Sequence, residues 1–118
     1  MAKITFVDES DNVIGSGTRE EALQKGIARR IVRVFLFNSK GELLIQKRSS
    51  NVSLAGKWDQ SVGGHVDEGE DYYQAVQREL REELGIEDIA LKEITKFYTE
   101  ETDETGINKR FNLLYSVN

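Results

Sequence analysis

The chain has 118 residues, a formal net charge of −5 and no cysteine. This length suits one domain with a single core, the absence of cysteine excludes disulfides and thiolate metal sites, and no apolar run approaches the ~20 residues of a membrane span. We therefore expect a single cytoplasmic domain over residues 1–118, a monomer or homodimer, without a membrane segment and without general nucleic-acid binding, which depends on clustered basic residues.

The first predicted elements are a hairpin and a short helix. Residues 3–8 and 13–18 alternate in hydrophobicity around the turn-forming pair Asp11 and Asn12, as the two strands of a hairpin do. Thr18, with Glu21 three residues later, predicts a capping box for a helix over residues 19–25. Gly26 is the expected end of that helix.

Residues 27–37 predict a long strand, because they are mostly β-branched and aromatic. Arg29, Arg30 and Arg33 interrupt the apolar pattern, so we expect one face to be core and part of the other to be basic. Residues 38–41 predict a turn, and residues 42–47 predict the partner strand of a second hairpin.

Lys47 and Arg48 are candidate substrate-binding residues at the end of that strand. Cationic side chains beside the polar residues 49–51 can hold a phosphate, and the alternative is a solvated strand end. Trp58 opens a short strand that leads into Gly63 and Gly64. Its indole is a candidate for the core or, less often, for stacking on a base.

A glycine loop running into an acidic helix is predicted next. Asp67, Glu68 and Asp71 carry negative charge where a helix N-terminus favours it, and Gly85 marks the expected left-handed C-cap. Apolar residues recur at every fourth position between these signals and predict one buried stripe. They are Tyr72, Val76, Leu80 and Leu84.

Three glutamates lie beside that stripe on the same helix. Glu79, Glu82 and Glu83 fall within about a 100° arc, because positions three and four apart are neighbours on a helix surface. Carboxylates in this arrangement repel each other, and hard cations such as Mg²⁺ take oxygen ligands. Spacing alone leaves two readings open, a metal site and a solvated acidic face.

The whole stretch from Gly64 to Ile86 resembles the signature of the Nudix hydrolases at every defined position. The matching residues are Gly64, Glu70, Arg78, Glu79, Leu80, Glu82, Glu83, Gly85 and Ile86. The resemblance implies a loop–helix–loop that binds Mg²⁺ or Mn²⁺ and hydrolyses a nucleoside diphosphate linked to another group, X.

The same resemblance implies a role for each matched residue. Glu79 and Glu83 are expected as the main metal ligands, Glu82 as a ligand directly or through water, and Gly64 as a donor through its carbonyl. Arg78 is expected to orient this catalytic group by pairing with Glu70. The general base stays open between a glutamate of the helix and one of Glu100, Glu101 and Glu104 on the acidic turn.

The end of the chain predicts a third hairpin. Residues 89–99 and 109–117 read as strands on either side of an acidic turn over residues 100–106. We therefore expect an α+β domain with a mixed sheet and the acidic helix on one face. The resemblance implies an α/β/α sandwich whose second helix follows the last strand, and the sequence stops at Asn118 while the strand pattern is still running, so that helix is expected to be missing.

Outside the helix, residues 7–9, 13–15, 37–48 and 56–65 resemble the Nudix branch that includes the isopentenyl diphosphate isomerases. The likeness departs where that branch has its catalytic cysteine, since Gly63 occupies the position, and no acids match the branch's late-strand pair near residues 109–111. Isomerase activity is therefore the weak alternative, beside a catalytically idle module that binds a nucleotide or a protein. His65 matches a metal ligand of the isomerases, and its role here stays open between a loop residue and a donor to a ligand.

Overall fold

The computed structural model describes residues 3–37, 43–44, 46–47, 58–59, 62–87 and 89–117. Two helices lie in this part of the chain, α1 (Arg19–Lys25) and α2 (Tyr72–Leu84). The strands are β1 (Ile4–Val7), β2 (Val13–Gly17), β3 (Ala28–Phe37), β4 (Leu43–Leu44), β5 (Gln46–Lys47), β6 (Trp58–Asp59), β7 (Val62–His65), β8 (Leu91–Asp103) and β9 (Gly106–Val117). Neither described helix is long and apolar enough to cross a membrane.

Strand β3 is the centre of a mixed sheet. It runs parallel to β9 on one side, and β1, β7 and β4 pair antiparallel with successive parts of it. β2 continues the sheet beyond β1, and β8 continues it beyond β9. β5 and β6 form a separate two-stranded sheet. The predicted α+β class, the mixed sheet and the first hairpin are confirmed. The second hairpin is confirmed only in part: residues 43–44 pair with β3, residues 46–47 pair with β6 instead, and the predicted turn over residues 38–41 lies outside the described residues.

The acidic helix α2 packs its predicted stripe onto this sheet. Val76 and Leu80 are fully buried among sheet residues such as Val32 and Val34, and Tyr72 and Leu84 pack against the same cluster. Gly85 ends the helix in the left-handed conformation. The expected start is only partly right: Asp71 is the N-cap in a capping box with Gln74, whereas Asp67 and Glu68 belong to the preceding loop.

Helix α1 lies on the opposite face of the sheet. Its Ala22 packs with Ile4 and Phe6 in a second, separate cluster. Phe6 is the register partner of Arg29, three positions from Val32 on β3, and strand residues an odd number apart point to opposite faces. Thr18 caps α1 by accepting from the Glu21 amide, which is half of the predicted capping box, and the Glu21 carboxylate accepts from Lys25 instead. Helices therefore cover both faces, and the short N-terminal helix supplies part of the second layer.

The β8–β9 hairpin is longer than predicted. The stretch expected as an acidic turn is mostly strand, since β8 continues to Asp103 and β9 begins at Gly106. Cross-strand pairing such as Glu100 with Lys109 sustains the ladder beyond the apolar residues. The turn itself consists of the two residues between the strands.

Asp11 joins the first hairpin to the centre of the fold. This residue of the β1–β2 turn has a φ of 64°, and its carboxylate accepts from Arg30 Nε at 2.8 Å, Lys96 Nζ at 2.6 Å and the Tyr72 hydroxyl at 2.8 Å. Burial alone would raise the pKa of Asp11, but these three hydrogen bonds together with the charge of Arg30 lower it overall. The turn, β3, β8 and the start of α2 therefore share one charge network around the buried carboxylate of Asp11.

Candidate active site

Strand β7 brings Gly64 against helix α2. Gly64 pairs with Val32, whose side chain packs against the helix, and a Cβ atom built on Gly64 would overlap the carboxylate of Glu79. Only a residue without a side chain leaves room for Glu79 in this position. The requirement for glycine here follows from packing, and it places backbone beside a carboxylate.

Arg78 holds the neighbouring acidic groups together. Its guanidinium is 17% exposed and makes a bidentate contact with Glu70, with Nε to Oε2 at 2.7 Å and Nη2 to Oε1 at 3.1 Å. Nη1 donates to Glu79 at 2.7 Å and to Glu82 at 3.2 Å. Nη2 also donates to the backbone carbonyl of His65 at 2.9 Å. The expected pairing of Arg78 with Glu70 is present, and the same side chain spans the loop, the strand and the helix.

The loop between β7 and α2 is fastened by Glu70. Its carboxylate accepts from the Asp67 amide at 2.9 Å as well as from Arg78. Burial acts to raise the pKa of Glu70, but the hydrogen bonds from Arg78 and Asp67 outweigh it and the pKa is lowered. Glu70 therefore stays ionised and fixes the guanidinium that touches Glu79.

Glu79 and Glu83 form a repelling pair one turn apart on α2. Desolvation, a hydrogen bond to Glu79 and the negative charges of Glu79 and Glu82 raise the pKa of Glu83 to about 7, although the Gly63 backbone acts to lower it. The Glu83 side chain as a whole is exposed, and its carboxyl end lies against Glu79 and the strand. Two carboxyls that resist joint ionisation are a suitable setting for a cation.

Glu82 lies apart from this pair. Its side chain is 56% exposed and its carboxylate contacts Arg78. Within the described residues no group of three acidic, histidine or cysteine side chains is already arranged to hold a metal ion. The structure therefore brings Glu79, Glu83 and Gly64 together. Glu82, the third glutamate of the predicted trio, contacts the guanidinium of Arg78 instead.

The candidate substrate-binding residues lie at the margin of the described chain. Lys47 is the last residue of β5 and its backbone pairs with Trp58 on β6. Arg48 lies outside the described residues. Two of the three candidate bases of the late acidic stretch have other partners, since Glu100 accepts from the Tyr98 hydroxyl and Glu101 contacts Arg110.

His65 is a strand residue rather than a loop residue, and its side chain lies on the face opposite α2. Its Nε2 accepts a hydrogen bond from Arg29 Nε at 3.1 Å. Desolvation, followed by the charge of Arg29 and of more distant arginines, lowers the pKa of His65 to about 4. The imidazole is therefore neutral at physiological pH.

Arg29 lies near the site, and the sequence pattern placed it only on a basic face of β3, without a functional role. Alternation along β3 separates the three predicted arginines, with Arg30 on the α2 face beside Asp11, and Arg29 and Arg33 on the other. The odd-numbered spacing between Arg29 and Arg30 could have predicted that their side chains lie on opposite faces of the sheet. It did not reveal that Arg29 is buried.

A glycine strand facing one acidic helix, on a mixed sheet with helices on both faces, defines a class of α+β domains with a carboxylate site at the strand–helix junction. A family model described as the NUDIX domain matches residues 28–116. The chain belongs to the Nudix family.

The curated relatives are named either as Nudix hydrolases or as isomerases. The chain is 43% identical over 99 residues to an uncharacterized Nudix hydrolase of Pseudomonas aeruginosa, covering 83% of this chain and 59% of the relative. It is 40% identical over 95 residues to an isopentenyl-diphosphate Delta-isomerase of Photorhabdus laumondii, covering 80% and 53%. The chain thus spans little more than half the length of these relatives.

Solved structures show the same fold. A crystal structure of a Deinococcus radiodurans protein aligns with a TM-score of 0.76 at 32% identity, covering 98% of this chain and 70% of the other. A MutT protein of Methanosarcina mazei aligns with a TM-score of 0.62 at 30% identity, covering 77% and 63%. These likenesses agree with the mixed sheet and the position of α2.

Proposed function

We propose that this protein hydrolyses a phosphoanhydride bond in a nucleoside diphosphate linked to X, or in a related small diphosphate, with Mg²⁺ or Mn²⁺. The observation that carries the proposal is the junction of Gly64, Glu79 and Glu83, where glycine leaves room for a carboxylate and the two carboxyls resist joint ionisation. A solvated acidic face would need neither feature.

The residues at this junction fit a hard divalent cation. Glu79, Glu83 and the Gly64 carbonyl offer oxygen ligands, and Glu82 would contribute directly or through water. When bound, the cation neutralises charge on the diphosphate and lowers the pKa of the attacking water.

The chain's own part is to hold these oxygens in place. Arg78 fixes Glu79 through Nη1, and Glu70 in turn fixes Arg78 through two hydrogen bonds. The carbonyl of His65, next to Gly64, accepts from the same guanidinium. Arg78 is thus proposed as a positioning residue that keeps strand and helix in register, while Glu79, Glu82 and Glu83 remain the proposed catalytic carboxylates. Lys47 and Arg48 remain the proposed contacts for substrate phosphates.

Hydrolysis is favoured over isomerisation by the residue that precedes Gly64. One relative named as an isomerase is 40% identical, so the alternative has support from similarity. However, Gly63 offers no thiol where the isomerase branch has its cysteine, and the whole chain contains none. Protonating an alkene needs an acid that this position cannot supply.

The decisive experiment is a screen of nucleoside diphosphate compounds for phosphate or nucleotide release, with Mg²⁺, with Mn²⁺ and with EDTA. We expect hydrolysis of at least one compound with either metal and none in EDTA. Full turnover in EDTA would overturn the metal dependence. No turnover of any compound, together with a melting temperature raised by nucleotide, would favour the idle binding module.

The remaining expectations stay predictions. They are one domain over residues 1–118, a cytoplasmic location, a monomeric or homodimeric state, a small phosphorylated ligand, and no general binding of nucleic acid.

A further inference from the structure

An arginine cluster lies on the sheet face opposite α2. We use this name for Arg29 on β3 and Arg110 on β9, which are direct register partners in the parallel pair. Arg19, at the start of α1, is close enough to act on Arg29 electrostatically. Like charges directly opposite each other in a sheet are destabilising, so this arrangement calls for a compensating group.

Arg29 is buried, and the part of the chain that the structure describes gives it no counter-charge. It is 2% exposed, its Nε donates to the neutral His65, and its Nη1 is buried with no hydrogen-bond partner among the described residues. No carboxylate of the described residues forms an ion pair with it. Desolvation and the positive charges of Arg19 and Arg110 lower the pKa of Arg29 to about 10, still well above physiological pH, so the group stays cationic. A buried unpaired charge is costly to a fold.

Arg110 repeats the pattern. Its Nε is also buried without a partner among the described residues. Its Nη2 forms an ion pair with Glu101 at 3.3 Å, and Glu101 is 67% exposed, so solvent screens the interaction. The two unsatisfied guanidinium atoms on neighbouring strands can donate to one multi-oxygen anion.

We propose that Arg29 and Arg110 form a binding site for a phosphate-class anion on the sheet face opposite α2. A phosphate group offers several acceptor oxygens, so it can accept from Arg29 Nη1 and Arg110 Nε together, and guanidinium geometry suits it. The neutral Nε2 of His65 occupies Arg29 Nε and leaves the other side of the fork for the ligand.

The site is coupled in space to the carboxylate junction through β7. The His65 carbonyl binds Arg78 on the catalytic side, while the His65 imidazole binds Arg29. The anion has two possible sources, a second anionic group at the far end of the hydrolysed compound or a separate phosphate. The first source rests on the proposed function, and the second does not.

The test is a set of thermal melts of the metal-free protein in EDTA, with inorganic phosphate or pyrophosphate against chloride at constant ionic strength. We expect the melting temperature of the wild type to rise by on the order of 5 °C at saturating anion. Arg29→Met should lose this rise and, without anion, should melt no lower than the wild type, because an uncompensated buried charge is removed. Lys92→Met, which removes an exposed cation on β8, is the charge-matched control and should keep the rise.

Two results would overturn the site: an undiminished rise in Arg29→Met, or no rise in the wild type. If Arg29→Met does not fold, Arg110→Met takes its place with the same expected loss of the melting shift.

Steady-state kinetics on a compound found in the screen then separate the two possible sources of the anion. If the cluster holds the far end of that compound, phosphate inhibits competitively and Arg29→Met raises KM with little change in kcat. If the phosphate is separate, the melting shift remains and KM is unchanged. Failure to find any hydrolysed compound would leave the melts, and therefore the anion site, standing.

Discussion

The Tyr72 hydroxyl donates to Asp11 Oδ2 at 2.8 Å, so the first residue of the acidic helix is bonded to the turn of the first hairpin. Arg30 and Lys96 bind the same carboxylate. The orientation of α2 over the sheet therefore depends on a charge supplied from the other end of the chain.

Asp11→Asn should lower the free energy of unfolding by about 3 kcal/mol, because it leaves Arg30 buried beside a neutral group. Asparagine tolerates a positive φ, so the backbone of the turn is kept and the change isolates the charge. Urea denaturation measures the effect. Asp103→Asn, in the exposed hairpin, is the control and should change stability by less than about 0.5 kcal/mol. Equal effects at both positions would show that the network does not stabilise the fold.

Gly64→Ala should abolish most hydrolysis while the protein still folds. The new methyl group must displace the Glu79 carboxylate, and misplacing a catalytic group by about 1 Å can cost on the order of 10²-fold in rate. Gly15→Ala is a matched control, since a Cβ there meets nothing within 4 Å. Turnover and the melting shift caused by Mn²⁺ should both fall in the first variant only. Normal turnover in Gly64→Ala would separate Gly64 from the site.

Glu79→Gln and Glu83→Gln should each remove most of the activity. Without metal, Glu83→Gln should be as stable as the wild type or slightly more so, whereas Glu79→Gln also weakens its 2.7 Å ion pair with Arg78 and should be less stable. Neutralising one of two repelling carboxyls relieves a few tenths of a kcal/mol, whereas loss of a ligand weakens metal binding. Glu82→Gln should lose less activity, because Glu82 accepts a hydrogen bond from Arg78 and lies apart from the Glu79–Glu83 pair. Parallel kinetics and melts in EDTA measure both quantities. Near wild-type turnover in Glu79→Gln would exclude α2 as the catalytic element.

In EDTA, the free energy of unfolding of the wild type should fall relative to that of Glu83→Gln as the pH rises from about 4.5 to about 7. The sign follows from proton binding: a carboxyl whose pKa is raised by folding binds its proton more tightly in the native state than in the unfolded state. The stabilisation from this tighter proton binding is complete below the pKa of the unfolded state. It is lost as the pH rises through the pKa of the native state. Denaturation at several pH values compares the two proteins. A difference that does not change over this window would contradict the raised pKa of Glu83.

Dimethylallyl diphosphate should not form from isopentenyl diphosphate, since Gly63 cannot act as a proton donor. Product above a control without enzyme, measured with Mg²⁺ present, would assign the protein to the isomerases instead.

Local signals in the sequence predicted local structure well. The bounds of α1 and the end of α2 follow from Thr18, Gly26 and Gly85, where a capping side chain or a left-handed glycine determines the conformation. The contact between Glu70 and Arg78 was expected from the resemblance to the Nudix signature rather than from a local signal.

Features that depend on tertiary contacts were not predictable in this way. The Asp11–Lys96 bond joins residues 85 positions apart, and no local pattern indicates it. The length of β8 was underestimated because its acidic end has low strand propensity, which pairing with β9 overrides. The burial of Arg29 depends on packing around β3, and composition gives no measure of that.

The long strand β8 has a consequence for handling the protein. It is the last strand of the sheet within the described residues, and it exposes Ile94, Phe97 and Tyr98. A long outermost strand with apolar side chains can template the addition of another chain, and charged residues along it oppose such growth. Glu93 and Glu100 supply negative charge there at neutral pH. Replacing both by glutamine should therefore promote edge-to-edge aggregation of a protein that is still folded.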